Sequence, residues 1–295
     1  MITIKTGTGA PQVVKNSGMA LTQVLLIIAL ISVFIVSITY SVRNYIRSAE
    51  QIQYRTEAKL TLRTMQTRVL EAMLTEPWVT SEQNITNPIA QNWNFYGRWF
   101  RVDNVDIRIT NVSSLMLLSV NDEDYYQRYL KSLDVDTVQA KQAAKAMVDY
   151  QGGELGRPIQ SLHELRFITG LGETVVEKLQ QYATPFVVSN RSPMYMPDQL
   201  LTAEMDASAA QRVKALRSDG TFDRNNFELA TGIEPDMMVI HYPGPIFRIE
   251  LLYQQNDISQ NEQITVELRP YDQPPVTFLS TGLTGNGKTA RPSEQ

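Results

Sequence analysis

Residues 18–42 read GMALTQVLLIIALISVFIVSITYSV. From Met19 to Val42 the run holds 24 residues without a charge, and the first acid anywhere in the chain is Glu50. As a helix this run is about 36 Å long at 1.5 Å per residue, enough to cross a hydrocarbon core of about 30 Å. Upstream lies a polar leader with Lys5 and Lys15 and no acid. An ordinary secretory signal has a shorter apolar region, about 7–15 residues, with small residues at a cleavage site after it. Here Ser17 and Gly18 stand before the apolar run. Cleavage after Gly18 therefore leaves the apolar helix on the mature protein.

The run does not end in a breaker. It passes into a pattern with polar faces, in which Ala58, Leu62, Met65, Val69 and Met73 recur at spacings of three and four. That spacing marks one face of an amphipathic helix. Glu76 precedes Pro77, where helices usually stop. The reading predicts one helix of nearly 60 residues, apolar all round in its first half and one-sided in its second. A signal-anchor helix leading into a coiled coil is the alternative, but the heptads after Arg43 are too few to sustain it.

Beyond this helix, residues 80–91 are polar and Asn-rich and read as a loop. Strand signals begin in residues 93–101 (WNFYGRWFR), aromatic with a central Gly97. Val105, Ile107 and Ile109 alternate with Asp106 and Arg108, as in a half-buried strand. Residues 115–120 either continue this sheet or cross into the next region. Residues 122–150 are helical in character, starting at an acidic cluster, Asn121 to Asp124, that suits a helix N-terminus. A polar turn, residues 151–157, follows. Two stretches then resemble each other: Glu164-Leu165 with Thr169-Gly170-Leu171, and Glu228-Leu229 with Thr231-Gly232-Ile233. They suggest a repeated helix-turn-helix unit, each glycine closing its first helix. Strands return at residues 246–254, cross a polar connection at 256–262, and continue through Ile264, Val266 and Leu268 as a hairpin. Residues 276–279 offer a third strand.

Composition bounds the function. The chain has 295 residues, net charge −4 and no cysteine. Loss of Lys5 and Lys15 with the leader takes the charge to near −6. An acidic chain is a poor match for nucleic acid or anionic lipid as main partner. Disulfides and thiolate metal sites are excluded. The two histidines, His163 and His241, lie far apart in sequence, and no nucleophile elbow, His-Glu-x-x-His or phosphate loop is present. His163 reads as a solvated or capping residue. The sequence points away from an enzyme. The leader lysines favour a cytoplasmic N-terminus, with Arg43 and Arg47 on the far side weakening the bias.

The leader and helix together resemble the class III signal of type IV pilins and pseudopilins. In that family a prepilin peptidase cuts after the glycine and N-methylates the new first residue, which implies Gly18 and Met19 as the processing site. The family pattern has Phe at the first mature position and Glu at the fifth; this chain has Met19 and Gln23. The family's glutamate neutralises the amine of a neighbouring subunit, and a carboxylate in lipid is costly unless paired. A subunit with nothing stacked above it can dispense with that charge. The minor pseudopilin K family of type II secretion characteristically lacks this Glu, and its opening, Gly-Met-Ala-Leu, is matched by Gly18-Met19-Ala20-Leu21.

The resemblance to that family covers nearly the whole mature chain. It implies an α+β fold with a long N-terminal membrane-spanning helix. A pilin-like α/β core with an antiparallel sheet follows, interrupted by a large α-helical insert of sterile-alpha-motif-like or helix-hairpin-helix-like units. The expected segments are a leader at 1–18 and a transmembrane half-helix at 19–42. The core falls at 43–120 and 238–281, the insert at 121–237, and a disordered tail at 282–295. The implied function is a minor pseudopilin that caps the pseudopilus tip and helps start its assembly. It would be a single-pass inner-membrane protein with its C-terminal part periplasmic. Implied partners are the minor pseudopilins I and J, other pseudopilins, the prepilin peptidase and the inner membrane. A minor pilin of a type IV pilus, for adhesion or DNA uptake, is the alternative. Its nucleic-acid version would use the hairpin-like residues 165–179, but bases and acids cancel between residues 156 and 182. Relatives also carry a calcium loop. Here only Asp149 and Glu154 remain of it, too few carboxylates for the 6–8 oxygen ligands that calcium takes, so no cofactor is expected.

Overall fold

The computed structural model describes residues 17–78, 86–152, 158–168, 170–255 and 258–282. Most of the leader, Glu154 and the tail after Gly282 lie outside these residues. The chain divides into two compact units, Met1–Glu57 and Ala58–Gln295.

The first helix, α1 (Ser17–Thr75), runs for 59 residues. In the first unit every described side chain from Leu21 to Glu57 is exposed, Leu26 at 68 % and Phe34 at 60 % among them. By length and composition α1 is long and apolar enough to cross a membrane. Two hydroxyls in the apolar run are satisfied by the helix itself. The Ser32 and Thr39 hydroxyls donate to the carbonyls of Ile28 and Ile35, both at 2.8 Å, which suits them to an environment without water.

In the second unit α1 changes character as its spacing predicts. Ala58, Leu62, Met65, Val69 and Met73, joined by Ala72, are all buried. Pro77 stops the helix, and the Trp78 indole donates to the Met73 carbonyl at 2.7 Å, satisfying one of the last orphan acceptors. The Trp78 ring then meets Phe247 edge-on at 4.9 Å. Arg68 pairs with Asp103 at 2.7 Å.

The second unit holds β1 (Phe100–Val102), β2 (Val105–Asn111) and β3 (Met116–Leu117), then α2 (Glu123–Ser132), α3 (Thr137–Gly152), α4 (Glu173–Tyr182) and β4 (Ala183–Thr184). The helices α5 (Leu201–Glu204), α6 (Ala207–Ser218) and α7 (Arg224–Thr231) follow, and β5 (Ile246–Gln255), β6 (Ile258–Leu268) and β7 (Val276–Gly282) close the order. One antiparallel sheet runs β1-β2-β5-β6-β7. β2 and β5 are neighbours, with Ile109 opposite Ile249. The chain thus leaves the sheet at Asn111, builds a block of helices, and re-enters beside its point of departure at Ile246. Alternation along the strands gives one face to Ile107, Ile109, Phe247, Ile249, Ile264 and Val266, all at most 2 % exposed. Phe247, which Trp78 touches, lies on this face. The other face carries Arg108, Thr110, Arg248 and Glu250.

Several local expectations change. Residues 93–101 form no long strand: only Phe100 and Arg101 enter β1, and Tyr96 makes a lone bridge to Thr110. Positive φ at Phe95 and Gly97 (58° and 82°) bends this stretch into an arch whose Trp93 and Phe95 point into the core. β2 is not half-buried. Asp106 and Thr110 on its second face are 4 % and 6 % exposed, because that face is covered too. Residues 116–117 take neither anticipated course cleanly; they pair in parallel with β4 in a separate two-stranded sheet. Residues 122–150 split into α2 and α3 at Leu133–Val135, where Asp134 has φ 57°. The connection drawn at 256–262 is mostly strand, with β6 paired from Ile258 opposite Gln255.

Candidate assembly site

Two regions position the features singled out in the sequence. The first is the exposed apolar length of α1. Ser17, Gly18 and Met19 begin its backbone. Gln23 sits one turn later, exposed, among Leu21, Val24, Leu25 and Leu26. No charged side chain lies on the helix from Met19 to Val42, so this stretch offers only dispersion contacts and uncharged side-chain hydrogen bonds.

The second is the junction between the helical block and the sheet. Where the chain leaves and returns, the two crossings are bound together. Asn111 Nδ2 donates to the Gly244 carbonyl at 2.9 Å, and Ser192 donates from its backbone N–H to Ser113 O at 3.0 Å and from its hydroxyl to Tyr242 O at 3.1 Å. Gly244 sits against Ser113 so closely that an added Cβ would overlap the serine hydroxyl. Gly244→Ala is therefore expected to cost about 1–3 kcal/mol through overpacking, read as a lower midpoint in thermal unfolding of the full chain.

Three arginines, none of them a candidate in the sequence, tie the block down. Arg248 on β5 is 4 % exposed and donates to the carbonyls of Gln181 at 2.7 Å and Ala183 at 2.8 Å, with Gln180 at 3.4 Å. It thus caps the C-terminus of α4, where carbonyls lack partners and the dipole favours a cation. Burial lowers its pKa, opposed by Glu250. Arg217 on α6 is 6 % exposed, pairs with Asp198, donates to Met194 O at 2.8 Å, and lies 4.0 Å from the Tyr96 ring centre. Burial lowers its pKa as well. Arg191 pairs with Glu204, which also accepts from the buried Tyr129 hydroxyl at 2.7 Å; burial raises the Tyr129 pKa well above its ordinary value. A sequence signal existed for only one: Arg248 and Glu250 alternate with apolar residues, which reads as a solvated strand face until a covering layer is known.

The remaining candidates fall out singly. Asp122 caps α2, accepting from Asp124 N at 2.9 Å and Tyr125 N at 3.2 Å, so the acidic cluster is a helix start. Asp149 is exposed on α3, and its expected companion Glu154 lies outside the described residues. Among the described residues no group of three His, Asp or Glu could hold a metal ion. His163 is exposed in a 3₁₀ turn capped by Ser161. His241 is buried, with Nδ1 at 2.9 Å from Glu228.

The repeated unit is only half repeated. Gly232 closes α7 with φ 69° and donates to Glu228 O at 2.8 Å, as anticipated. Gly170 also has positive φ, 92°, but stands three residues beyond a 3₁₀ turn rather than at an α-helix end. Among the described residues no helix follows Gly232. Pro235 removes a donor and restricts Glu234, and Asp236 accepts from Met238 N and Val239 N at 2.6 and 2.7 Å, making a turn instead.

What these parts define is an α+β protein in which an apolar helix continues into a helix docked on an antiparallel sheet, with a helical block spliced between adjacent strands. Among solved structures, a chain of the GspK-GspI-GspJ complex from the type 2 secretion system of enterotoxigenic Escherichia coli is similar over 80 % of this chain and 99 % of its own, at 15 % identity and a TM-score of 0.48. No family model and no curated protein matches the chain.

Proposed function

We propose that this chain is a K-type minor pseudopilin of a type II secretion system, acting by assembly rather than catalysis. One observation carries the reading: the helical block leaves and re-enters a sheet carried on a helix whose leading half is bare and apolar. A pilin-like core needs the docked half of α1 and the sheet. The bare half needs either lipid or other apolar helices around it.

In this reading the prepilin peptidase removes residues 1–18 and methylates Met19. The leading half of α1 holds the subunit in the inner membrane, N-terminus cytoplasmic and second unit periplasmic, then packs against the helices of other pseudopilins. Gln23 supports a terminal position, since a subunit with none above it has no amine to neutralise. The helical block supports it too, because so large an addition beside the sheet crowds any subunit stacked over it. The partners are the minor pseudopilins I and J, and the complex starts the pseudopilus that exports folded proteins.

Loss of the chain is expected to strand secreted proteins in the periplasm while leaving surface pili intact. Normal secretion with loss of pili would overturn the reading in favour of a type IV minor pilin.

A further inference from the structure

A cleft of about 470 Å³ opens on the second face of the sheet, within the range of small-molecule sites. Its floor is β2 and β5, one wall is the aromatic arch before β1, and the other comes from the end of α4 and the segment before α5. This cleft has no part in the assembly surface on α1.

The charges at its floor are spent on one another. Two arginines, Arg98 and Arg108, face two acids, Asp198 and Glu250. Arg108 donates from Nε and Nη2 to both Glu250 oxygens at 2.6 Å, and its guanidinium lies 4.6 Å from the Trp99 ring centre. Both members of this pair are nearly buried, at 11 % and 14 % side-chain exposure. Asp198 is engaged by Arg217, which does not line the cleft. A ligand charge placed between Arg108 and Glu250 would have to break that pair, leaving a nearly buried charge without its partner.

The uncharged polar groups are the reverse: available. Gln181 and Gln199 are exposed, and neither side-chain amide makes a hydrogen bond among the described residues. The Tyr182 hydroxyl is likewise without a hydrogen-bond partner there. Arg108 keeps Nη1 uncommitted, and one Asp198 oxygen stays open. The cleft thus offers fixed donors and fixed acceptors side by side, next to Trp99 and Tyr182 rings. Amides both donate and accept, and a hydroxyl is the ligand group that answers either role. Rings with an apolar face suit the aromatic walls.

We propose that this cleft is a binding site for a neutral saccharide, held by Gln181, Gln199 and the Arg108–Glu250 pair against Trp99. The site acts beside the assembly role and does not depend on it. A charge on the sugar at the floor is opposed by the Arg108–Glu250 pairing there.

The test is titration of the full chain, in a detergent without a sugar headgroup, with chitobiose, cellobiose and maltose, followed by tryptophan fluorescence and calorimetry. Saturable binding of at least one disaccharide is expected. Gln181→Ala and Gln199→Ala, both at exposed side chains, should each weaken it by about five- to tenfold, the range for a single neutral hydrogen bond, with unchanged circular dichroism. Addition of a phosphate group to the bound sugar should weaken binding further. Failure of all three disaccharides to bind at millimolar concentration overturns the proposal. So does binding that both glutamine variants leave unchanged, or tighter binding of the phosphorylated sugar.

Discussion

Gly18→Val is expected to leave the chain uncut, with the leader of residues 1–18 still attached and no methyl group on Met19. The peptidase of the resembled family acts at a glycine, and a β-branched residue there adds bulk on the strand of chain that must enter its site. In the proposed topology the retained leader would hold Lys5 and Lys15 on the cytoplasmic side, and moving such charges into apolar surroundings is costly. The helix would therefore stay in the membrane instead of entering a filament. Intact-mass measurement of the membrane-extracted chain reads the cleavage directly, and secretion should fall to the level of a gene deletion. A variant cut normally after residue 18, or an uncut one that still supports secretion, would contradict the processing step.

Arg248→Met is expected to be the most destabilising single change in the second unit. Methionine nearly fills the volume but donates nothing, so the carbonyls of Gln181 and Ala183 lose their partner inside a covered junction. Each stranded acceptor costs about 1–3 kcal/mol, and the end of α4 loses a cation that opposes its dipole. The sum is about 3–5 kcal/mol, or about 10 °C in the unfolding midpoint at about 2–4 °C per kcal/mol for a unit of this size. Arg68→Ala provides the contrast. Its partner Asp103 is 63 % exposed, and such pairs contribute about 0–1 kcal/mol. Equal midpoints for the two variants would mean that Arg248 is not what fastens the helical block to the sheet.

The parts legible in the sequence were those governed by one periodicity. Ala58 to Met73 repeat at helical spacing and are buried, and Pro77 marks the helix end within two residues of Thr75. The alternation of residues 246–254 and 264–268 placed the hairpin, and 276–279 its third strand. What stayed hidden needed knowledge of a second layer. Asp106 and Arg248 look solvent-facing in a strand pattern, yet both are buried, and Arg248 lies under the end of α4. The same blindness covers the cleft, since Arg108 and Glu250 lie far apart in sequence and become opposite neighbours only through the register of β2 and β5. The aromatic stretch 93–101 misled for a different reason. Its composition suits a strand, but two positive φ values turn it into an arch. The residues proposed for processing and assembly, Gly18, Met19 and Gln23, come from one contiguous sequence motif, and the structure adds that they lie on the first turns of α1.

The most direct test of the central claim is co-expression of the full chain with the minor pseudopilins I and J of the same secretion system, followed by affinity purification from detergent-solubilised membranes. The account predicts a stable ternary complex containing the cleaved chain. Recovery of the folded, cleaved chain alone, with I and J pairing normally without it, would contradict it.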